Sequence, residues 1–204
     1  DHEDISALAF VGSTRVAKIV YGRAAATGKR VLCLGGAKNH LIVVPDADLE
    51  LTAQNVLASF TGCAGQRCMA AAVMVAVGDV DHIISEISRQ AREMNTGVDI
   101  GAITNEASVT RINNYIENAE SLGAKVLVDG RSDRGNDQGY WVGPTVIDGV
   151  TSAMPAGCEE IFGPVLSIIH VDDVDSAIAL ENDNPYGNAS AVYTTSGDVA
   201  RKVI

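Results

Sequence analysis

The sequence predicts an α/β layered fold with largely parallel strands. Three observations lead to this prediction: short apolar runs of strand length alternate with longer stretches of helical period, turn residues separate the two, and no internal repeat interrupts the order. The chain has 204 residues, of which 47% are hydrophobic and 20% are charged. It can therefore bury a sizeable core, in one large domain or in one domain with part of a second.

The first part of the chain is predicted as strand, helix and strand. Residues 5–11 form a short apolar run, and Gly12-Ser13-Thr14 then opens a stretch with one apolar helical face. This helix ends at Thr27-Gly28, and residues 30–34 form the second strand.

A third strand is predicted over residues 41–44 and is followed by a turn. Asp48 lies at the end of this turn, where its side chain can accept a hydrogen bond from the first free amides of a helix. The helix is predicted to run from Leu49 to Phe60 and to end at Thr61-Gly62.

The same alternation continues to the end of the chain. Helices are predicted over residues 80–94, 108–122 and 173–181, and from Gly197 onwards. Strands are predicted over residues 71–77, 124–128, 141–147, 165–171 and 189–194. The most polar stretch, residues 131–139, is predicted to be an exposed loop.

The composition excludes several classes of protein. The chain has 15 Lys and Arg residues against 26 Asp and Glu residues, and the net charge of −11 argues against a binder of nucleic-acid backbones. No apolar run approaches the length of a membrane span, and the acidic residues 1–4 do not resemble a signal peptide. The four cysteines are too few for a disulfide scaffold and lack the spacing of a zinc site, so we expect reduced thiols and no metal.

The strongest chemical signal lies in the short loop before the predicted strand at residues 71–77. The glycines Gly62 and Gly65 let a backbone approach a ligand closely, and the loop presents Cys68. The neighbouring Arg67 would favour the thiolate form of a nucleophilic cysteine. From the spacing alone, Cys68 is also consistent with a small buried hydrophobic residue.

Several short motifs occur in order along the chain: Phe10-Val11-Gly12-Ser13-Thr14, Leu34-Gly35-Gly36, Pro45-Asp46-Ala47-Asp48, Gly65-Gln66-Arg67-Cys68, Gly143-Pro144-Thr145, Glu159-Glu160-Ile161-Phe162-Gly163-Pro164 and Asn184-Pro185-Tyr186-Gly187. Through these motifs the sequence resembles the aldehyde dehydrogenase superfamily over essentially its whole length. Finer details, such as Ala37-Lys38-Asn39-His40, resemble the methylmalonate-semialdehyde dehydrogenase branch, which acylates coenzyme A. The resemblance implies a three-layer, doubly wound, largely parallel sheet.

The resemblance also implies a role for each matching residue. Cys68 matches the nucleophile that attacks the aldehyde and holds the acyl group as a thioester while hydride passes to NAD. Its backbone N–H matches an oxyanion donor. Glu160 and Phe162 match the pair that holds the nicotinamide ribose and ring, and Gly12 and Ser13 match the helix start that faces the cofactor pyrophosphate.

One position departs from the hydrolytic members of the family. These carry a glutamate before Leu-Gly-Gly that activates water, and this sequence has Cys33 there. A thiol is a poor replacement for a carboxylate base, so the thioester is expected to survive until coenzyme A takes the acyl group. The resemblance thus implies oxidation of a small acidic semialdehyde, methylmalonate or malonate semialdehyde, to propionyl-CoA or acetyl-CoA with loss of CO2.

Two alternatives stay open at this point. One is a hydrolytic, NAD(P)-dependent semialdehyde dehydrogenase, because Gly-Gln-Arg-Cys also occurs in such enzymes, and the other is a non-catalytic protein that keeps the fold. Arg67 is the candidate for binding a substrate carboxylate through two parallel hydrogen bonds, against a role in loop structure or thiolate activation. Lys38 is expected to be a structural or solvated lysine.

The resemblance implies the organisation of the chain as well. Residues 1–34 would be the C-terminal remnant of an NAD-binding domain, and residues 35–204 a catalytic domain truncated at its C-terminal end, so the chain alone is expected to be inactive. The parent protein is expected to be a homodimer or homotetramer in the cytoplasm, or in the mitochondrial matrix of a eukaryote. Its expected partners are the semialdehyde, NAD and coenzyme A, with no nucleic acid and no membrane.

Overall fold

A computed structural model describes residues 1–135 and 138–204 of the chain. The chain divides into two compact units, Asp1–Ala37 and Lys38–Ile204. The resemblance implies a domain boundary after residue 34, and the assignment of the first part to a cofactor-binding domain stays a prediction. The loop predicted over residues 131–139 has no helix or strand in its described part, and Asn136 and Asp137 lie outside the described residues.

The first unit consists of a strand, a helix and a strand, which are β1 (Ala7–Val11), α1 (Thr14–Ala26) and β2 (Arg30–Leu34). The two strands pair in parallel, with Ala7 opposite Arg30. The helix buries Ala17 and Ala24. The three elements predicted from the sequence are confirmed.

The second unit combines a sheet with helices. Its strands are β3 (Asn39–Val43), β4 (Ala71–Val77), β5 (Lys125–Val128), β6 (Thr145–Asp148), β7 (Val165–Val171) and β8 (Ser190–Tyr193). Its helices are α2 (Leu49–Thr61), α3 (Asp81–Glu93), α4 (Glu106–Ser121), α5 (Pro155–Cys158), α6 (Val174–Asn182) and α7 (Gly197–Val203), and a 3-10 turn spans Gly62–Gly65. As predicted, Asp48 caps α2 by accepting a hydrogen bond from the Leu51 amide at 2.8 Å.

The six strands form one sheet in the order β5-β6-β7-β4-β3-β8. Neighbouring strands are parallel, except that β5 and β6 are antiparallel. The prediction of a largely parallel sheet is therefore confirmed.

Both faces of this sheet are buried, which is typical of parallel strands. Along β4, Val73 and Val75 belong to one apolar cluster, and Met74 between them belongs to the other. The first cluster continues into α4 and α6, and the second into α2 and α3. Helices thus cover the sheet on both sides, so the three-layer, doubly wound arrangement implied by the resemblance is confirmed. No helix in the described part of the chain is long and apolar enough to cross a membrane.

The strand predicted over residues 141–147 is shorter in the structure and begins at Thr145. The cause is local, because Pro144 has no N–H to donate and the Gly143 amide donates to Gly130 O, at 2.9 Å, instead of to a strand. The 3-10 turn and α5 were not predicted, since four residues are too few to show a periodic pattern.

Candidate active site

Several motifs of the second unit meet at one edge of its sheet. Asn39 begins β3, Cys68 precedes β4, Phe162 precedes β7 and Asn188 precedes β8. These four strands are parallel, so their amino ends lie at the same edge. The candidate site is therefore built at the amino edge of the sheet, whereas open parallel sheets generally bind ligands at the carboxyl edge.

A left-handed turn at the end of α2 leads to the candidate nucleophile. Cys63, Ala64 and Gly65 have φ values of 53°, 54° and 68°, a region that non-glycine residues rarely adopt. Gly65 has no room for a side chain, because a Cβ there would lie 2.0 Å from Gly163 O. The backbone of the turn thus packs directly on the segment that precedes β7.

Gln66 fixes the other side of this turn. Its Oε1 accepts hydrogen bonds from the Thr104 amide, at 3.0 Å, and from the Thr104 hydroxyl. Its Nε2 donates to Ala102 O at 3.1 Å and to Cys63 O at 3.3 Å. The turn is therefore held between the end of α2 and the segment that precedes α4.

The Cys68 thiol is free and exposed, unlike the small buried residue of the alternative interpretation. Its main-chain carbonyl accepts hydrogen bonds from Asn39 Nδ2 at 2.8 Å and from Asn188 Nδ2 at 2.6 Å. The preceding carbonyl, Arg67 O, accepts from the Ala70 amide at 3.1 Å. A hydrogen bond to a carbonyl polarises its peptide unit, so this contact strengthens the Cys68 N–H as a donor. The backbone is fixed on both sides of the thiol.

Arg67 is exposed and lies against the end of α2. Its Nη2 donates to Ser59 O at 2.8 Å and to Ala58 O at 3.4 Å. These bonds fit the hypothesis of a role in loop structure, and they involve one of the three guanidinium nitrogens. The hypothesis that Arg67 binds a substrate carboxylate stays a prediction.

Phe162 has a left-handed φ of 55°, which is unusual for a bulky residue. The residue is 38% exposed although its side chain is apolar. The neighbouring residues hold this conformation, because Ile161 O accepts from the Arg111 guanidinium at 3.4 Å and a Cβ on Gly163 would lie 2.6 Å from Ile112. A strained and exposed aromatic ring at this edge suits contact with a flat ligand.

Lys38 is buried with 2% of its surface exposed. Its Nζ donates to Ala156 O at 2.8 Å, and the same oxygen accepts from the Ser167 hydroxyl at 2.8 Å. Burial lowers the pKa of Lys38 from 10.5 to about 7, against the opposing effect of Cys158 and the two glutamates that follow it. Lys38 thus anchors the turn of α5 and is a structural lysine, one of the two roles expected from the sequence.

In the first unit, Gly12 and Ser13 lie between β1 and α1. The Gly12 amide donates to Leu34 O at 3.2 Å, and a Cβ on Gly12 would lie 2.6 Å from the Phe10 ring. The Ser13 side chain makes no capping hydrogen bond, so it does not occupy the first amides of α1. Cys33 is half-buried in β2, opposite Phe10 in the strand register.

Two residues of this site were not predicted from the sequence. Asn39 belongs to a motif and Asn188 directly follows one, but their bonds reach a main-chain oxygen 29 and 120 residues away, which no spacing pattern indicates. The available signal was their position at the starts of two strands of one parallel sheet.

Within residues 1–135 and 138–204, no group of three or more His, Cys, Asp and Glu residues is placed to hold a metal ion.

Comparisons with known proteins agree on one family. The model of the aldehyde dehydrogenase family matches residues 1–204. The malonate-semialdehyde dehydrogenase of Halalkalibacterium halodurans is 43% identical over 209 residues, which cover 99% of this chain and 43% of the relative. An Anopheles gambiae protein, named probable methylmalonate-semialdehyde/malonate-semialdehyde dehydrogenase, acylating, mitochondrial, is 43% identical over 212 residues, which cover 100% of this chain and 41% of that protein.

Solved structures give the same result. A Sinorhizobium meliloti crystal structure, assigned as a methylmalonate-semialdehyde dehydrogenase and complexed with NAD, has a TM-score of 0.95 and 39% sequence identity to this chain. The match covers 99% of this chain and 43% of that structure. The chain therefore spans somewhat under half the length of the relatives that it matches.

The buried Lys38 predicts a pH-dependent stability. Its pKa is about 7 in the folded state and 10.5 without burial, so between these values the unfolded chain binds a proton that the folded chain lacks. The contribution of this group to stability then rises with pH across this window. We expect Lys38→Met to raise the free energy of unfolding most at about pH 7, and progressively less towards about pH 9.

Urea unfolding of the wild type and of Lys38→Met at several pH values in this window measures the difference in their free energies of unfolding. Lys125→Met replaces an exposed lysine and is the matched control, whose effect should not change with pH. If Lys38→Met raised the free energy of unfolding by the same amount at every pH in the window, the prediction would be wrong.

Proposed function

The chain belongs to the aldehyde dehydrogenase family, and we propose that the complete protein oxidises malonate or methylmalonate semialdehyde with NAD and transfers the acyl group to coenzyme A. The observation that carries this proposal is the exposed Cys68 thiol on a rigid loop packed against the Phe162 segment. The names of the relatives support the substrate, and the name of the Anopheles gambiae protein supports the acylating reaction. The activity is proposed for the complete protein because the chain spans under half of its relatives.

Cys68 is the proposed nucleophile. Its thiolate sulfur bonds to the aldehyde carbon, and the carbonyl electron pair moves to the oxygen, which accepts a hydrogen bond from the Cys68 N–H. The carbonyl re-forms as hydride leaves the same carbon, and the product is a thioester on Cys68. NAD, when bound, supplies the acceptor for that hydride.

The residues proposed to hold NAD suit a flat ring and an anionic group. The exposed Phe162 ring offers a flat apolar surface, and the half-buried Glu160 offers a carboxylate to sugar hydroxyls. In the first unit, the start of α1 at Gly12 and Ser13 presents main-chain amides that suit a pyrophosphate. This chain's part is to bind and orient the cofactor.

Coenzyme A, and not water, is the proposed acyl acceptor. Cys33 stands where the hydrolytic relatives carry the glutamate that activates water. Loss of general-base help slows a reaction by roughly 10²- to 10⁴-fold, so the thioester persists until the thiolate of coenzyme A displaces Cys68. The substrate carboxylate, β to the thioester carbonyl, leaves as CO2 and a proton takes its place. The proposed products are acetyl-CoA and propionyl-CoA, respectively.

Arg67 is the proposed contact for the substrate carboxylate. Within the described part of the chain, the hydrogen bonds of its guanidinium use Nη2 only, so Nη1 and Nε can face a ligand. A guanidinium suits a carboxylate because two parallel hydrogen bonds form at once.

The assembly and the compartment are proposed from the resemblance. The complete protein would be a homodimer or homotetramer, in the cytoplasm or, in a eukaryote, in the mitochondrial matrix. The Anopheles gambiae relative is named as mitochondrial, which supports the second location for a eukaryotic source.

The nucleophile is tested by replacing single cysteines in the complete protein. We expect Cys68→Ser to abolish NADH formation, because a hydroxyl is a far weaker nucleophile than a thiolate. Cys63→Ser is the matched control, since Cys63 is an exposed thiol of the same loop. It should keep most of the activity, as should Cys158→Ser. Comparable losses in all three variants would show that the loop, and not one thiol, is required.

The acyl acceptor is tested by turnover with and without coenzyme A. Without it, we expect a burst of about one NADH per site and then a stall, because the thioester has no efficient acceptor. With it, turnover should be continuous. Cys33→Glu should restore some turnover in water alone. Rapid continuous turnover of the wild type without coenzyme A would refute the acylating reaction.

The role of Arg67 is tested by comparing substrates with and without a carboxylate. We expect Arg67→Ala to lower kcat/KM for malonate semialdehyde roughly 10- to 100-fold more than for propanal, since a hydrogen-bonded ion pair is lost. Arg67→Lys should recover little, because an ammonium cannot form the paired bonds. Arg92→Ala is the control, as its guanidinium also donates to a main-chain carbonyl, Leu127 O. Equal losses on both aldehydes would assign Arg67 to the loop alone.

A further inference from the structure

Two asparagine side chains converge on the main-chain carbonyl of Cys68. Asn39 Nδ2 donates to Cys68 O at 2.8 Å and to Ala70 O at 2.7 Å. Asn188 Nδ2 donates to the same Cys68 oxygen at 2.6 Å. Both lone pairs of that oxygen are therefore engaged by side-chain amides from two different strand starts.

A hydrogen bond links the two segments that carry these donors. Asn184 Nδ2 donates to Lys38 O at 2.8 Å, and Asn184 Oδ1 accepts from the Tyr186 amide at 3.0 Å. The segment that carries Asn188 is therefore fixed to the residue before Asn39. The two amides therefore reach the Cys68 carbonyl from segments that are hydrogen-bonded to each other.

Asn39 holds its position at an energetic cost. Its side chain is 4% exposed, and no described residue donates a hydrogen bond to its buried Oδ1. An unpaired buried acceptor destabilises a fold, so such an atom calls for an explanation. The orientation of this amide is set by its two donated bonds, and both end on the loop of the candidate nucleophile.

We propose that Asn39 and Asn188 are positioning residues, which hold the Cys68 carbonyl so that the thiol and the main-chain N–H keep one orientation. The proposal rests on the proposed function of Cys68 as the nucleophile. Two side-chain amides on one carbonyl oxygen restrict the peptide unit next to the thiol, so the two asparagines act through Cys68 and without touching the substrate.

Alkylation by iodoacetamide followed by peptide mapping measures this effect in the chain itself. Cys63, an exposed thiol of the same loop, serves as an internal control. We expect Asn188→Ala to slow the alkylation of Cys68 about tenfold and to leave the rate at Cys63 unchanged. Asn188 is exposed, so the variant should keep the wild-type unfolding transition. Equal rates at Cys68 in the variant and the wild type would overturn the proposal.

An isosteric variant separates positioning from packing. Asn188→Asp keeps the shape of the side chain, but an ionised carboxylate cannot donate and adds negative charge next to the carbonyl. Positioning predicts that the Cys68 rate falls from wild type to Asn188→Ala and further to Asn188→Asp. A role in packing alone predicts that Asn188→Asp stays near the wild type. Asn182→Ala, on an exposed asparagine at the end of α6, should change neither thiol.

Activity of the complete protein distinguishes the two proposals. If Cys68→Ser keeps dehydrogenase activity, the proposed function fails. If Cys68→Ser abolishes activity and Asn188→Ala lowers kcat about tenfold with unchanged KM values, both proposals are supported. If Cys68→Ser abolishes activity and Asn188→Ala changes only KM, or nothing, the positioning role is overturned and the proposed function stands.

Discussion

The site depends on the close approach of two backbones, at Gly65 and Gly163. A Cβ on Gly65 would lie 2.0 Å from Gly163 O, so one loop can rest on the other only where a side chain is missing. The approach goes together with left-handed conformations at Cys63, Ala64 and Phe162, each of which is costly for a residue with a side chain. Burial of Ala64 in the apolar cluster of the sheet offsets part of that cost. The thiol loop and the aromatic ring are thus placed by one contact.

The site is held together mainly by side chains that donate to main-chain carbonyls. Gln66, Arg67, Lys38 and Asn184 all donate in this way, and so do the amides that bind the Cys68 carbonyl. Such bonds fix the course of the backbone. They also engage polar groups that could otherwise contact a ligand, and of the Arg67 guanidinium they engage Nη2.

The alternation of elements and the two-sided core could be predicted from the sequence, because buried parallel strands and amphipathic helices leave clear apolar patterns. The late start of β6 could not be predicted, since its cause is a hydrogen bond between Gly143 and Gly130. The thiol loop was located from its glycines and cysteine. The roles of the Asn39 and Asn188 amides could not be predicted, because a bond to a main-chain oxygen requires no particular residue type at the acceptor position. For Arg67, likewise, residue type alone could not separate loop support from ligand contact.

The amino-edge location has an electrostatic consequence. α2 and α6 each lead into a strand that begins at this edge, so both helices end there. A helix carries roughly half a negative charge at its C-terminal end, and these two ends therefore oppose the anions that helix N-termini attract. The guanidinium of Arg67 lies on the last carbonyls of α2 and counters this field locally. Preference for a charged over an uncharged reactant must accordingly come from side chains, and it can change by substitution while the layered scaffold stays the same.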